Sequence, residues 1–346
     1  MNCKPTTPPS ITSIYGLGIN IFNECNKLRT INVPHESVAN YKNASGWSEC
    51  SDKIVGCEFF GDYAGTEVPN NQIWYTSADE SVVQTMKSAF GAAIVSNVYE
   101  NGRGVITCDR DIQIVGKEAF GRSPLLLGVA LPESVTTIDA NAFAYTSLKS
   151  ITIPNGVTSI GLMAFAECRD LRSFYGEYAS EDSRSLIMDG CLIAFAPAGL
   201  SYYSTPPGTT KIGDCAFWGC SNLGGIEMGE NVKEIGAEAF YGCSRLESFH
   251  LPQFVMKVGT RAFAYCGGLE YITIDEYAIE IGNEAFLKCG NLTTVHCRPA
   301  NPPSIGRRVF ELCDKLRRIE VPHKSIDSYK TASGWSEYAD KIDGDV

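Results

Sequence analysis

The sequence has little that would place it across a membrane. It contains no run of 18 consecutive apolar residues, so it lacks the length of apolar chain that a spanning helix needs. Its first residues, Met1-Asn2-Cys3-Lys4-Pro5, have no apolar core of the kind found in secretory signal peptides. We therefore expect no membrane insertion by this chain. It is either cytosolic or lacks the segment that directs export.

Positive charge is also scarce. The chain has 29 Lys and Arg against 40 Asp and Glu, which gives a formal net charge of −11. A nucleic-acid partner would need a basic patch that displaces counterions from phosphates, and no such patch is present in the sequence. This balance excludes nucleic acid as the expected partner and favours an acidic, soluble surface.

Sequence motifs of known catalytic sites are missing. There is no G-x-S-x-G, H-E-x-x-H or phosphate-binding G-x-x-x-x-G-K segment. The 14 cysteines form no C-x-x-C pair, and the four histidines are not interleaved with them at metal-ligand spacing. We expect no enzyme activity, no cofactor and no metal, although a triad assembled from distant residues stays open.

What the sequence does contain is a repeat. Its clearest copy, residues 232–252, reads VKEIGAEAFYGCSRLESFHLP, and its Ala-Phe pair, with Val in place of Ala in the last copy, recurs at intervals of 23, 22, 52, 23, 23, 23 and 24 residues. The phenylalanines of these pairs, called the motif phenylalanines below, are Phe120, Phe143, Phe165, Phe217, Phe240, Phe263, Phe286 and Phe310. A period in the low twenties predicts a solenoid.

One repeat unit predicts its own local structure. The unit contains the apolar residues Leu246, Phe249 and Leu251, and the last two alternate with polar residues. This alternation indicates a short strand with one buried face. Val232 and Ile235 indicate a second short extended piece, followed by a tight turn and about one turn of helix. A unit of this size cannot bury its apolar face alone, so we expect neighbouring units to stack.

The repeat resembles that of the BspA-like leucine-rich-repeat proteins of bacterial surfaces, which read roughly V-x-x-I-G-x-x-A-F-x-x-C-x-x-L-x-x-I-x-I-P. Residues 112–322 fit this pattern. The resemblance implies an α/β fold, a right-handed leucine-rich-repeat solenoid with a parallel β-sheet along one face and short helices or turns on the other. It also implies an exported or surface-displayed protein of a host-associated bacterium that binds proteins or matrix components.

The cysteines follow the repeat. Six of them lie three residues after a motif phenylalanine: Cys168, Cys220, Cys243, Cys266, Cys289 and Cys313. Because stacked strands are about 4.8 Å apart, the five from Cys220 to Cys313 should form a buried column. Parallel side chains do not aim their sulfurs at each other, so we expect free thiols that act as small apolar side chains.

The two ends of the chain are related. Residues 22–56 and 310–344 align without gaps and agree at 22 of 35 positions. We predict the last rung and end cap of an upstream array in residues 1–56, a starting cap in 57–111, nine rungs in 112–322 and a C-terminal cap in 323–346. The C-terminal cap should hold a short helix around Ser325–Lys330 and Trp335 as an apolar lid. The chain is either a fragment of a longer protein or one that reuses an end cap as a start cap.

The expected starting cap shows four local signals. Gln72–Thr76 and Ala93–Tyr99 are strand-like, and Asp79–Ser88 resembles a short helix with Asp79 as its cap. Asn101-Gly102 predicts a hairpin turn before a strand over residues 104–108.

The interval of 52 residues marks an interruption. Within it, Asp189-Gly190 predicts a hairpin between Ser185–Met188 and Cys191–Phe195. Four tyrosines surround this hairpin, and we expect Tyr203 to point inward. Because an insertion in one rung often lies on the binding face, we expect a ligand to contact residues 175–203 first.

Two columns of side chains should point outward from the strands. The first contains Gly128, Ser150, Ser173, Tyr202, Gly225, Ser248, Tyr271, Thr294 and Arg318, and the second contains Ala130, Thr152, Tyr175, Ser204, Glu227, His250, Thr273, His296 and Glu320. His250 and His296 are two rungs, or about 9.6 Å, apart, too far for one metal ion. Each histidine has a glutamate one rung away, so we expect exposed ion pairs.

The family resemblance implies a non-enzymatic binding or adhesion module that recognises host or matrix proteins. The candidate binding residues are Tyr175, Tyr178, Tyr202, Glu227, His250, Tyr271 and His296. Two other functions stay open, namely a glycan-binding module, which would need clustered exposed aromatic residues, and a passive spacer that holds another domain away from the cell.

Overall fold

The computed structural model describes residues 31–34, 38–44, 47, 51, 54–57, 67–86 and 88–344. Its helices and strands, in chain order, are β1 (Ile31–Pro34), α1 (Val38–Asn43), β2 (Ile54–Cys57), β3 (Gln72–Ser77), β4 (Ile94–Glu100), β5 (Arg103–Cys108), β6 (Ile114–Val115), β7 (Leu126–Ala130), β8 (Thr137–Ile138), β9 (Ser150–Thr152), β10 (Ser159–Ile160), β11 (Ser173–Tyr175), β12 (Ser185–Met188), β13 (Cys191–Phe195), β14 (Tyr202–Ser204), β15 (Lys211–Ile212), β16 (Gly225–Glu227), β17 (Glu234–Ile235), β18 (Ser248–His250), β19 (Lys257–Val258), β20 (Tyr271–Ile274), β21 (Glu280–Ile281), β22 (Thr294–Cys297), β23 (Ser304–Ile305), β24 (Arg318–Val321), α2 (Ile326–Thr331) and β25 (Ile342–Gly344).

The repeats form a solenoid of parallel strands. In a regular rung a first strand is followed by a turn and then by a second strand of two residues, as in β18 and β19. First strands pair with first strands of the next rung, and second strands with second strands, so Phe249 pairs with Ile272 and Val258 with Ile281. The predicted solenoid with a parallel sheet along one face is confirmed.

The motif phenylalanines stack along the core. Neighbouring rings lie 4.9 Å apart for Phe217 and Phe240 and 5.1 Å apart for Phe240 and Phe263, with nearly parallel planes. Both neighbours of Phe240, like Phe240 itself, are fully buried. Each ring therefore occupies the same interior position in successive rungs.

The face opposite the first strands consists of turns, and the predicted turn of helix after Gly236 is wrong. Glu238 and Gly242, two residues before and after Phe240, have φ angles of 53° and 74°, which a right-handed helix does not allow. The N–H groups of Glu238, Phe240 and Gly242 donate to carbonyls of the next rung instead. The N–H groups of Tyr241 and Cys243 close turns within the rung, so bonds between rungs alternate with single turns and no helix forms.

The interruption divides the solenoid. Asp189 and Gly190 have φ angles of 50° and 75°, and β12 and β13 around them pair antiparallel, so the predicted hairpin is confirmed. Strand β13 then pairs in parallel with β15. Within the described residues no pairing joins β11 to β14, and the buried side chains form one core cluster on each side of the interruption.

An antiparallel group precedes the first rung. β4 and β5 form a hairpin at Asn101-Gly102, as predicted, and β3 pairs antiparallel with β7 of the first rung. The predicted helix over Asp79–Ser88 is wrong. The Asp79 carboxylate accepts hydrogen bonds from Ser77 and Ser81 and so closes a turn, and Glu80 has a φ angle of 57°.

The C-terminal segment packs on the last rung. The predicted helix around Ser325–Lys330 is present as α2 with a 3-10 turn before it. Trp335 is fully buried, and its Nε1 donates to the Pro303 carbonyl at 2.8 Å. Its ring lies 5.0 Å from Tyr329.

The described part of the N-terminal copy has the same register as the C-terminal segment. Ile31 pairs with Ile54 in β1 and β2, and the aligned Ile319 pairs with Ile342 in β24 and β25. Residues 1–30, which include Cys3 and Phe22, lie outside the described residues. Assignment of residues 1–56 to the end of an upstream array stays a prediction, as do the other domain boundaries.

The cysteines with described side chains are free, as expected for the column. Cys243, Cys266 and Cys289 are fully buried. Each thiol donates to the carbonyl of the motif phenylalanine one rung earlier, as Cys266 Sγ does to Phe240 at 3.1 Å. Cysteine therefore supplies both a small apolar volume and a hydrogen-bond donor between rungs.

These column thiols are expected to resist alkylation in the folded protein. Burial raises the pKa of Cys266 to about 12, so below that pH the thiol stays protonated and the reactive thiolate is scarce. Timed iodoacetamide labelling with mass spectrometry at mildly alkaline pH should modify the partly exposed Cys191 well before Cys243, Cys266 or Cys289. Equal labelling rates before unfolding, or a disulfide between two column cysteines, would contradict the assignment.

Candidate binding face

The outward side chains of β14, β16, β18, β20, β22 and β24 form the candidate site, called the sheet face below. In each of these strands the second residue points inward, because successive side chains alternate between the two sides of a strand. The main members of the sheet face are Tyr202, Ser204, Glu227, His250, Tyr271, His296, Arg318 and Glu320.

The predicted columns follow the pairing of the strands within two sheets, one of β14 and β16 and one of β18, β20, β22, β24 and β25. Tyr202 pairs with Gly225, and Tyr271 pairs with Thr294, which in turn pairs with Arg318. In the second column, pairing links His250, Thr273, His296 and Glu320 in successive strands. The structure therefore brings Tyr202, Glu227, His250, Tyr271 and His296 to one side of the second half of the solenoid.

Two tyrosines provide most of the aromatic area on this face. Tyr202 is 56% exposed and Tyr271 is 45% exposed. The Tyr202 hydroxyl donates to Glu227 Oε2 at 3.2 Å, and the Ser204 hydroxyl donates to the same oxygen at 3.0 Å. Glu227 thus fixes the hydroxyl of one tyrosine while the ring stays in solvent.

His250 has a different partner from the one expected. Its Nε2 lies 3.6 Å from Asp275 Oδ2, whereas Glu227 accepts from Tyr202 and Ser204. Arg298 Nη1 lies 3.6 Å from the same Asp275 oxygen. The expected pairing of His250 with Glu227 is wrong. Asp275 directly follows the end of β20, and its carboxylate reaches His250 of the preceding rung.

His296 has the expected partner. Its Nδ1 lies 2.6 Å from Glu320 Oε2, and Arg318 Nη1 lies 3.1 Å from the other oxygen of Glu320. The Tyr271 ring stands edge-on to the imidazole at 6.4 Å. An imidazole with a defined carboxylate partner therefore lies beside the second exposed tyrosine.

Two predicted residues do not belong to the exposed face. Tyr175 is 6% exposed, and Tyr178 is partly buried against the first core cluster. After Gly176 the chain turns back and runs beside β11, and the Phe174 N–H donates to the Ser183 carbonyl at 2.7 Å. This segment takes the position beside β11 that the first strand of the next rung would have in a regular solenoid. The expectation that Tyr175 points into solvent is wrong, whereas Tyr203 is buried as predicted and bonds Ser185.

An open groove crosses the ends of these strands. It has a volume of about 730 Å³, and its ionisable lining residues are Glu227, Glu230, His250, Asp275, Glu276 and Arg298. Asp275, Glu276 and Arg298 are absent from the predicted columns, since they follow the strands and do not obey the alternation that defines the columns. In the described part of the chain, no cluster of three or more His, Cys, Asp or Glu side chains has the geometry to hold a metal ion.

With carboxylates outnumbering cations, this groove suits hydrogen bonding and ion pairing with a basic surface. The exposed tyrosine rings beside it add apolar contact area.

Comparisons with known proteins give consistent matches. The BspA-type leucine-rich-repeat region matches residues 96–223 and 210–333 in six copies. A search of curated proteins found no match. No helix in the described ranges has the length and apolar character needed to cross a membrane.

Several solved structures are similar. A leucine-rich cell surface protein from Faecalibacterium prausnitzii A2-165 aligns at 27% identity with a TM-score of 0.55, over 68% of this chain and 62% of that protein. The pneumococcal vaccine antigen PcpA aligns at 19% identity with a TM-score of 0.48, over 68% of this chain and 66% of that one. A leucine-rich-repeat protein from Eubacterium ventriosum ATCC 27560 aligns at 19% identity with a TM-score of 0.44, over 61% and 70% of the two chains.

Proposed function

Because the chain belongs to the BspA-type leucine-rich-repeat family, we propose that it is a non-enzymatic binding module that recognises host or matrix proteins through the sheet face. The module acts at the cell surface or after secretion. Its likeness to the cell surface protein of Faecalibacterium prausnitzii supports that location.

The observation that carries this proposal is the exposure of Tyr202 and Tyr271 on the same side of the solenoid, in the sheets β14–β16 and β18–β25. Tyrosine is enriched among residues that dominate binding energy, because it offers a large contact area and a polar tip at a low entropic cost. Both rings are about half exposed although they stand on strands whose inward residues build the core. Packing of the solenoid core therefore does not account for a tyrosine at either position.

Charge favours a basic partner. Glu227, Asp275 and Glu276 line the groove, and the whole chain carries a net charge of −11. A partner surface rich in Lys and Arg would be attracted over a distance and then aligned by these carboxylates.

A glycan ligand is the second candidate. Tyr202 and Tyr271 are three rungs apart, about 14 Å by the usual strand spacing, so they cannot stack on one sugar. Aromatic rings would have to engage separate units of an extended glycan. A protein surface spans this distance without such a requirement.

Replacing both exposed tyrosines tests the proposal. Tyr202→Ala with Tyr271→Ala should weaken binding to a captured ligand by at least about tenfold, which corresponds to about 1.4 kcal/mol. The melting temperature should stay nearly unchanged because both side chains are exposed. Surface plasmon resonance against a panel of purified extracellular-matrix proteins, together with a glycan array, would measure the change.

The chain offers a matched control. Tyr145 and Tyr265 are 42% and 38% exposed, and they lie on the turn face, two residues after a motif phenylalanine. Tyr145→Ala with Tyr265→Ala should leave affinity unaltered. Equal losses in the two double variants would refute the sheet face as the site, and absence of any ligand in both panels would favour the passive spacer.

A further inference from the structure

Four large apolar side chains are exposed together on two neighbouring rungs. Phe254 and Met256 are 43% and 42% exposed, and Tyr277 and Ile279 in the next rung are 47% and 61% exposed. They lie in the turns between first and second strands, beyond the ends of the sheet-face strands. We call this group the apolar ridge.

The apolar ridge is peculiar to these two rungs. Phe254 and Met256 flank the inward Val255, and Tyr277 and Ile279 flank the inward Ala278. The residues that flank the equivalent inward position in four other rungs are Ser134 and Thr136, Gly156 and Thr158, Gly208 and Thr210, and Asn231 and Lys233. Small or polar residues thus suffice for the fold at this place, and the core does not require the apolar ones.

The ridge is held in a fixed arrangement. The rings of Phe254 and Tyr277 lie 5.3 Å apart, and the Ile279 N–H donates to the Met256 carbonyl at 2.9 Å. Because the two rings already contact each other and the backbones of the two rungs are hydrogen-bonded, a partner that covered the ridge would lose little conformational entropy in ordering it. Contiguous apolar surface of this kind marks interaction sites in soluble proteins.

Charges beside the ridge indicate which partner fits. The outward residues of the second strands alternate in sign along the solenoid: Lys211, Glu234, Lys257 and Glu280. Within the chain, Lys211 Nζ lies 3.0 Å from Glu234 and Lys257 Nζ lies 3.5 Å from Glu280. When two copies of such a row run in opposite directions, each positive side chain of one copy can face a negative side chain of the other.

A two-fold axis that passes between the rungs of Lys257 and Glu280 would relate two copies of the chain in this way. It places Phe254 opposite Tyr277 of the second copy and Met256 opposite Ile279. The same axis places Lys257 opposite Glu280 of the other copy, so opposite charges meet at the edge of the apolar contact. One patch is thus complementary to itself, which is what an isologous interface requires.

We propose that the apolar ridge is the interface through which two copies of this chain associate, with their solenoids antiparallel. The dimer carries two sheet faces. A ligand array that both faces can reach would then be bound with greater apparent affinity than by one face, because the second contact is intramolecular.

Analytical ultracentrifugation of the full chain tests the proposal. We expect a concentration-dependent monomer–dimer equilibrium. Phe254→Asn with Met256→Lys gives this rung the residues that the preceding rung has in Asn231 and Lys233, so the variant should fold. It should weaken dimerisation by at least about tenfold. Val95→Thr with Leu162→Thr, at apolar positions 68% and 51% exposed outside the ridge, should leave it unchanged.

A charge exchange tests the symmetry axis. Lys257→Glu should weaken the dimer, and adding Glu280→Lys to it should restore association, because opposite charges then face each other again across the axis. A chain that stays monomeric at all concentrations would overturn the proposal. So would a dimer that the ridge variant leaves intact, or a monomer that uses the ridge to bind a different protein.

Discussion

Phe240→Ala is expected to lower the free energy of unfolding by about 3 to 5 kcal/mol. The ring is fully buried between Phe217 and Phe263, and it also lies 5.3 Å from Phe249 of its own rung. Removing it opens a cavity in the middle of a continuous stack. Both neighbouring rungs lose contacts at once, which a terminal substitution would not cause.

Urea and thermal unfolding followed by circular dichroism would measure this loss. Phe240→Leu is the matched control, because leucine keeps most of the apolar volume and should cost clearly less than the alanine. A melting temperature that moved by only a degree or so in the alanine variant would show that the ring does not support the array.

Trp335→Ala should cost a similar amount, about 3 to 5 kcal/mol, but the loss should concentrate at the C-terminal end. Trp335 covers the last rung, with its ring 6.4 Å from Phe310 and its Nε1 bonded to the Pro303 carbonyl. Without the indole, this carbonyl loses its donor and the edge of the core is opened to water.

Hydrogen–deuterium exchange would locate the effect. Amides of β22, β24 and α2 should exchange faster in the variant, while those of β7 and β9 should be unaffected. Trp335→Phe keeps an aromatic ring but loses the N–H, so it should cause a smaller change of the same pattern. Uniform acceleration along the whole chain would contradict an end-covering role for Trp335.

The regular rungs could be predicted from sequence because their period fixes the register. Once the motif phenylalanines are aligned, pairing of His250 with Thr273 and of Thr273 with His296 follows by counting, and the structure has these pairs. Buried positions such as Val258 follow for the same reason.

Backbone conformation on the turn face could not be predicted in this way. Apolar residues at helical offsets around Phe240 match one turn of helix, yet Glu238 and Gly242 adopt positive φ. The cost of left-handed backbone is offset by hydrogen bonds to the next rung, and those bonds exist only in the stacked array. A single repeat contains no sign of them.

The site was predicted only in part, because segments outside the regular repeat determine which side chains at its edges are exposed and which partners they have. Tyr175 falls in the outward column by counting, but the returning chain beside β11 leaves it 6% exposed. Asp275 displaces Glu227 as the partner of His250, because it lies just past the strand. The columns were predicted by counting alternate positions along ideal strands, so they do not include residues that follow the end of a strand.

Hydroxyl-radical footprinting in the presence of a matrix protein captured by the panel tests binding through the sheet face most directly. Tyr202, His250, Tyr271 and His296 should be protected from oxidation in the complex, while Tyr145 and Tyr265 on the turn face keep their reactivity. Protection confined to the turn face or to the first half of the solenoid, with the four sheet-face side chains oxidised as in the free chain, would contradict the proposed binding mode.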